Sequence, residues 1–325
     1  MGIWQDPHIR PGWAPIIYMG KMESIRIDKV NVLDRTFCVS YPLEDDHLLA
    51  SVAKFGIVTP LGLLKKERAV IVTGHKRAEA ARILGIEEIP YVFLDLDGKQ
   101  ALLTSINDNL ARSLNTVEKA ICIEKMRSLG FSAQDTYEVM AMLGLPAREN
   151  AHATCIAAAS AEEATKSFIV RHHLPITVVE QLFWFDPGEQ RNIIAIAGPR
   201  RPTVSSLREA LQLMMLLKVK RGAIDFTELA LSGDMEALKG ALKRQTHPLL
   251  SGLEEKLAGI LAACALPPNI RVRVDKAFEK EAIDIEIRAR NNEEVEGALA
   301  RLDRLAGQGF FRSIFELTHG AADRF

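Results

Sequence analysis

Residues 69–85 read AVIVTGHKRAEAARILG, and the fold of the first third turns on how this stretch divides. Residues 69–73 are a short apolar, β-branched run of strand type. Gly74 follows it directly, and residues 76–84 carry helical spacing up to a stop at Gly85. A strand that ends in glycine and opens a helix with a basic pair suits an anion. Backbone N–H groups at a helix N-terminus favour negative charge, and glycine lets a phosphate approach. Arg77 adds a fork of charged donors. Taken alone, the junction reads more readily as an ordinary αβ corner with a solvated Lys76-Arg77 pair.

The neighbouring stretches have the same mixed character. Upstream, residues 24–30 (SIRIDKV) alternate like a strand, and residues 43–55 have helical spacing with Glu44, Asp45 and Asp46 at the start and Gly56 at the end. Residues 61–64 make a strand before the charged turn 65–68. Downstream, residues 89–95 are a strand, and 100–110 and 117–129 are helices. The first part is therefore expected to be α+β. Residues 1–22, rich in Pro, Gly and aromatics without period, read as an arm. A second cluster of interest is Asn107-Asp108-Asn109-Leu110-Ala111-Arg112 at a helix end. An acid, an amide and an arginine within about one turn suit a metal ion and a phosphate, and they suit a plain helix C-cap as well.

From residue 131 to about 231 only helical periodicity is present, broken by the loop 198–202 (GPRRP). A change of character comes near His247: helix over 249–263, strictly alternating strands at 270–274 (IRVRV) and 283–288 (IDIEIR) around a charged turn, then helix over 293–305. The expected division is an arm (1–22), an α+β domain (23–130), a helical domain (131–245) and a small C-terminal α/β unit (246–325). The net charge of −1 means that affinity for nucleic acid needs a local patch. No stretch approaches the ~18 apolar residues of a membrane span, so the expected setting is cytoplasmic, with no membrane partner. Cys38, Cys122, Cys155 and Cys264 lie far apart with no metal spacing and read as buried thiols.

The motifs fall in a familiar order: Gly56-Ile57-Val58-Thr59-Pro60, the strand 69–73, Gly74-His75-Lys76-Arg77-Ala78-Glu79-Ala80, Gly85-Ile86, Ile89-Pro90, Asn109-Leu110-Ala111-Arg112, Leu114-Asn115 and Glu118-Lys119-Ala120. Over residues 25–129 this resembles the N-terminal domain of the ParB superfamily, whose members segregate chromosomes and plasmids. The resemblance implies a site for CTP and Mg2+ built from a GERR-like and an ENxxR-like motif. Gly74, His75, Lys76 and Arg77 stand at the first, with Gly74 and Arg77 on the phosphates. Asp108, Asn109 and Arg112 stand at the second, with Asn109 and Asp108 toward the metal, Arg112 on a phosphate and Asp108 as the catalytic acid of a slow hydrolysis. Two departures stand out: His75 replaces a glutamate, and Asp108 is one methylene shorter than the family's residue. Sulfiredoxin, of the same superfamily, needs a cysteine directly after the glycine, and His75 excludes that activity.

The resemblance also implies a helix-turn-helix after this domain. Ser132 would cap its first helix, Leu143-Gly144-Leu145-Pro146 would be its turn, and residues 148–159 would be its second helix, with Arg148 and Asn150 toward bases. The match is degenerate, because Asn150 stands where an apolar residue is wanted and residues 131–198 are net acidic. Arg200, Arg201 and Arg208, in a basic stretch continued by Lys218, Lys220 and Arg221, are the better phosphate contacts. The final unit resembles the family's dimerisation domain. The expected function is a CTP-dependent, DNA-binding clamp of partition type, a homodimer on nucleoid or plasmid DNA with a partition ATPase as implied partner. The alternatives are a ParB-domain protein that binds nucleotide or protein without reading DNA sequence, and a small-molecule kinase or nuclease on the same domain.

Overall fold

The computed structural model describes residues 23–275 and 282–322, with side chains to 317. The expected arm and most of the charged turn before the last strand lie outside these residues. Two compact units meet between Arg208 and Glu209, within a long helix. Among the described residues no helix is long and apolar enough to cross a membrane.

The first unit opens with a four-stranded mixed sheet: β1 (Glu23–Arg26), β2 (Leu61–Leu64), β3 (Val70–Thr73) and β4 (Glu88–Leu94), in the order β1-β4-β2-β3. β2 pairs antiparallel with β3 and parallel with β4, and β1 is the antiparallel edge. The alternating stretch 24–30 yields a shorter strand than its pattern suggests. The chain leaves the sheet at Arg26, makes a 3-10 turn over Ile27–Lys29, and places Val30 fully buried in a bridge to Ala69. Burying Val30 among Leu61, Leu63, Ile71 and Ile89 outweighs continuing an exposed edge. Gly62 has no room for a side chain: a Cβ would come within 2.7 Å of Thr73 Oγ1, which accepts a hydrogen bond from the Gly62 N–H at 3.2 Å.

Four helices surround this sheet: α1 (Asp46–Phe55), α2 (His75–Leu84), α3 (Gly98–Leu110) and α4 (Thr116–Ser128). α1 starts three residues later than its periodicity, because Asp45 caps it by accepting from the Leu48 N–H. α3 and α4 each begin with a capping box, Asp97 with Gln100 and Asn115 with Glu118.

The helical part follows as α5 (Ala133–Met142), α6 (Glu149–Ala159), α7 (Glu163–Arg171), α8 (Ile176–Leu182), α9 (Pro187–Ala197) and α10 (Val204–Arg221). Ser132 caps α5, and Gly144 takes φ 67° in the turn before α6. α6, which packs against α4 and α8, buries Ala151, Thr154, Cys155 and Ala158, while Asn150 is exposed. The apolar position that sequence spacing assigns to Asn150 is thus filled one residue later, by Ala151, and its small side chain lets α6 lie close to α4.

The second unit contains α11 (Phe226–Ala230), α12 (Met235–Thr246), α13 (Pro248–Ala263), the antiparallel pair β5 (Ile270–Val274) and β6 (Ile283–Ile287), α14 (Asn292–Gly307) and α15 (Phe310–Ala322). α15 is an addition to the helix–strand–strand–helix order read from sequence. Its Phe310 and Ile314 are buried with Leu305 against Leu257, Leu261, Val272 and Ile283. The α+β class holds throughout.

Candidate functional site

Gly74 ends β3 and caps α2 in a left-handed conformation, φ 93° and ψ 25°. A Cβ here would sit 3.1 Å from Arg77 Cζ and from Leu61 Cγ, so glycine is needed both for backbone and for space. Arg77 folds back along the helix start. Its Nη1 donates to the carbonyls of Thr59 at 2.7 Å and Pro60 at 2.8 Å. Its Nη2 lies 3.6 Å from Asp108 Oδ2, near the end of α3. The two motifs, about thirty residues apart in sequence, therefore meet through Arg77 and Asp108. Lys76 turns to α1, with Nζ 3.2 Å from Asp45 Oδ2. The Leu48 N–H and Lys76 hold the Asp45 carboxyl below its usual pKa.

His75 does not face outward. It is buried, and no hydrogen-bond partner reaches its Nε2. Burial, then the charges of Arg35 and Lys125, push its pKa down to about 3, so the ring is neutral. Lys125 above it donates to the carbonyls of Arg35 at 2.6 Å and Thr36 at 3.1 Å.

Asn109 and Arg112 are placed differently from the open phosphate and metal ligands that the motif implies. Asn109 Nδ2 donates to Ser105 O, and its Oδ1 accepts from both Nε and Nη2 of Arg112, at 3.0 and 2.9 Å. Arg112 also donates to Glu118 Oε2 at 3.0 Å, to Glu118 Oε1 at 2.7 Å and to Ser40 Oγ at 3.2 Å. Glu118, 1 % exposed, accepts further bonds from the N–H groups of Tyr41 and Asn115. The guanidinium is consumed in tying the segment 40–41 to the start of α4.

Asn109 and Asp108 differ in what they offer a hard cation: the amide oxygen of Asn109 is capped by Arg112, whereas Asp108 lies 3.6 Å from Arg77 with about a third of its side chain exposed. Among the described residues no cluster of three His, Cys, Asp or Glu side chains suits a metal. Arg112 must release the Asn109 oxygen before that amide could serve a metal.

The sequence motifs assign no role to Glu118 or to Tyr41. Beyond its backbone bond to Glu118, Tyr41 donates its hydroxyl to Glu163 Oε2 at 3.0 Å, under the Lys166 ammonium 5.1 Å from the ring centre. Burial, then Glu163, raise the Tyr41 pKa to about 12. A cavity of about 620 Å³ opens beside this segment, lined among others by Arg35, Ser40, Tyr41, Glu79, Lys125 and Glu163. Gly74, Arg77 and Asp108 are not in its wall, although Ser40 joins it to Arg112. Glu118 stands within the motif 118–120 without a role there, and its capping-box spacing from Asn115 is the signal that points to one.

The candidate DNA contacts fall into two sets. Arg148 Nη2 is 2.6 Å from Glu180 Oε2 on α8, while Asn150 is exposed on α6. Arg200 donates to the Ile196 carbonyl at the end of α9. Arg201, at φ 46°, and Arg208 on α10 are exposed. In the second unit Lys220 donates to Thr246 O at 2.8 Å and Arg221 to Gln245 O at 3.0 Å.

No family model matches the chain. A probable plasmid-partitioning protein ParB of Thermus thermophilus is 26% identical over 249 residues, covering 71% of this chain and 80% of that protein. A probable chromosome-partitioning protein ParB of Coxiella burnetii is 28% identical over 83 residues, 25% of this chain and 29% of its own. A solved structure of the C-terminally truncated chromosome-partitioning protein ParB from Caulobacter crescentus complexed with CTP-gamma-S is 21% identical, covering 52% of this chain and 94% of that one, with a TM-score of 0.24. The same protein complexed to the centromeric parS site is 16% identical, covering 58% and 98%, with a TM-score of 0.33. Whole-chain superposition at these scores fixes no residue's role.

Proposed function

We propose that this chain, a ParB-family protein, acts as a CTP-dependent, DNA-binding partition protein. The observation that carries the nucleotide part is the meeting of Arg77 and Asp108, which brings the Gly74 helix start and the end of α3 to one place. There the N–H groups of α2 face an anion, Gly74 leaves space for it, and Arg77 is already aimed by two carbonyls. Arg77 supplies the phosphate contact, with Lys76 beside it. His75, Asn109 and Arg112 support the site from behind, because each is buried or consumed within the fold. A magnesium ion would be held by Asp108, with Asn109 joining it once Arg112 releases the amide oxygen.

DNA is held through phosphates by Arg201 and Arg208, with Arg200 fixing the loop that carries Arg201. The C-terminal unit makes the protein a homodimer. Val295 and Leu299 leave one side of α14 apolar and exposed, and a two-stranded sheet with its helices gains core by pairing. A partition ATPase is the expected protein partner, and nucleoid or plasmid DNA the expected place.

The test is titration calorimetry of the full chain with CTP, ATP and ADP. CTP binding that falls tenfold or more in Arg77→Ala supports the reading. Absence of any nucleotide binding at millimolar concentration rejects it. A second reading, nucleotide binding without sequence-specific DNA recognition, is favoured by the Arg148–Glu180 pair, which occupies a side chain otherwise aimed at bases.

A further inference from the structure

Each of the three cations at the two nucleotide motifs faces a carboxylate of the chain itself. Lys76 meets Asp45 at 3.2 Å, Arg77 meets Asp108 at 3.6 Å and Arg112 meets Glu118 at 2.7 Å. The three acids come from separate places: the cap of α1, the end of α3 and the start of α4. They differ in how firmly they are held. Glu118 is buried and accepts from Tyr41, Asn115 and Arg112, so it is part of the frame. Asp45 caps a helix as well as pairing. Asp108 has about a third of its side chain exposed, and its contact with Arg77 is longer than a hydrogen bond.

Arg77 itself does not depend on Asp108 for its position. The Thr59 and Pro60 carbonyls hold Nη1, leaving Nη2 turned toward the carboxylate. We infer that Asp108 is an autoinhibitory anion, occupying the guanidinium face that a phosphate must take and leaving only when a stronger polyanion displaces it. The inference rests on the nucleotide reading of this site and deepens it. Asp108 then sets the concentration of triphosphate at which the site fills. A role as metal ligand or catalytic acid predicts the opposite sign for its removal: weaker binding or lost turnover, not tighter binding.

The experiment measures the affinity of the full-length protein, at fixed ionic strength and with and without magnesium, for two probes: CTP and inorganic pyrophosphate. Asp108→Asn keeps shape and removes the charge. The expected result is about two- to fivefold tighter binding of both probes, the size of a partly exposed ion pair. Asp108→Ser, smaller and also uncharged, is the second variant. It is expected to shift in the same direction and decides the matter if Asp108→Asn fails to fold. Unchanged or weaker binding of both probes overturns the inference even where the wild type binds CTP. Tighter pyrophosphate binding by Asp108→Asn, with CTP bound by neither protein, keeps the inference and removes the nucleotide reading instead. No pyrophosphate binding by either variant overturns it, because a freed Arg77 must take an anion.

Discussion

Arg112 meets Glu118 through two parallel hydrogen bonds, from Nη1 to Oε2 at 3.0 Å and from Nη2 to Oε1 at 2.7 Å, and the carboxylate end of that fork is buried. A bidentate pair with one desolvated partner is a fixture of the fold. Removing the guanidinium leaves a buried charge with only two backbone donors, Tyr41 N–H and Asn115 N–H. Arg112→Ala should therefore destabilise by about 2–3 kcal/mol, below the cost for a fully buried pair because Arg112 is partly exposed. Arg112→Lys should recover only part of this, since an ammonium cannot reproduce the fork. Urea unfolding followed by circular dichroism checks both. A loss under 0.5 kcal/mol, on the scale of roughly 0–1 kcal/mol for surface pairs, would show the pair to be superficial.

Acid should act on the first unit through His75. Its folded pKa is held at about 3, against an ordinary value of 6.5, by burial and by the nearby cations. The unfolded chain therefore takes up a proton that the folded chain refuses. Stability is at its plateau above pH 6.5 and falls as pH drops from 6.5 toward 3, by at most about 1.4 kcal/mol per pH unit from this group. His75→Gln, which does not titrate, should flatten that part of the profile. An unchanged slope between pH 6 and 4, read by urea midpoints, would assign the acid sensitivity to other groups.

The strand-to-helix corner at Gly74 was legible in sequence because a single glycine between two strong local patterns leaves few alternatives, and the structure puts it at φ 93°. The hairpin 61–73, α2 and α4 followed from local periodicity for the same reason. What local pattern does not contain is the direction of a long side chain. Arg77 and Arg112 look alike in sequence, yet one is aimed by loop carbonyls at the mouth of α2 and the other is spent on Glu118 and Ser40, contacts spanning up to 72 residues. α15 was passed over although its signal is local: Phe310, Phe311, Ile314, Phe315 and Leu317 recur at helical spacing, and Ile314 is buried in the cluster with Leu257 and Val272.

Gly74→Ala should damage the site without touching any ligand atom. The added methyl lies 3.1 Å from Arg77 Nε and Cζ, in a backbone region that costs a side chain about 1–3 kcal/mol. Arg77 must shift from the Thr59 and Pro60 carbonyls to make room. The expected outcome is a lower melting temperature together with CTP affinity reduced tenfold or more. Retained affinity in a folded variant would mean that Arg77 does not reach the ligand.

Duplex binding, in the proposed reading, is electrostatic and separable from base recognition. Arg201 and Arg208 are exposed, whereas Arg200 donates to the Ile196 carbonyl and Arg148 to Glu180. Only the first two present their charge outward without an internal partner described. Replacing both by alanine should weaken binding on all sequences alike and lower the slope of log affinity against log salt by about two, one for each phosphate contact. Arg200→Ala should cost stability as well as affinity, because it also frees a carbonyl at the end of α9. Asn150→Ala should leave the salt slope alone and reduce any preference for one sequence, since an exposed amide on α6 contributes to base edges and not to phosphate. Fluorescence anisotropy on two duplexes across a salt series measures all three. A slope unchanged in the Arg201 and Arg208 double variant would move the phosphate contacts elsewhere on the chain. Binding that is weak on both duplexes and indifferent to Asn150→Ala would favour the reading in which this protein holds nucleotide but does not read DNA sequence.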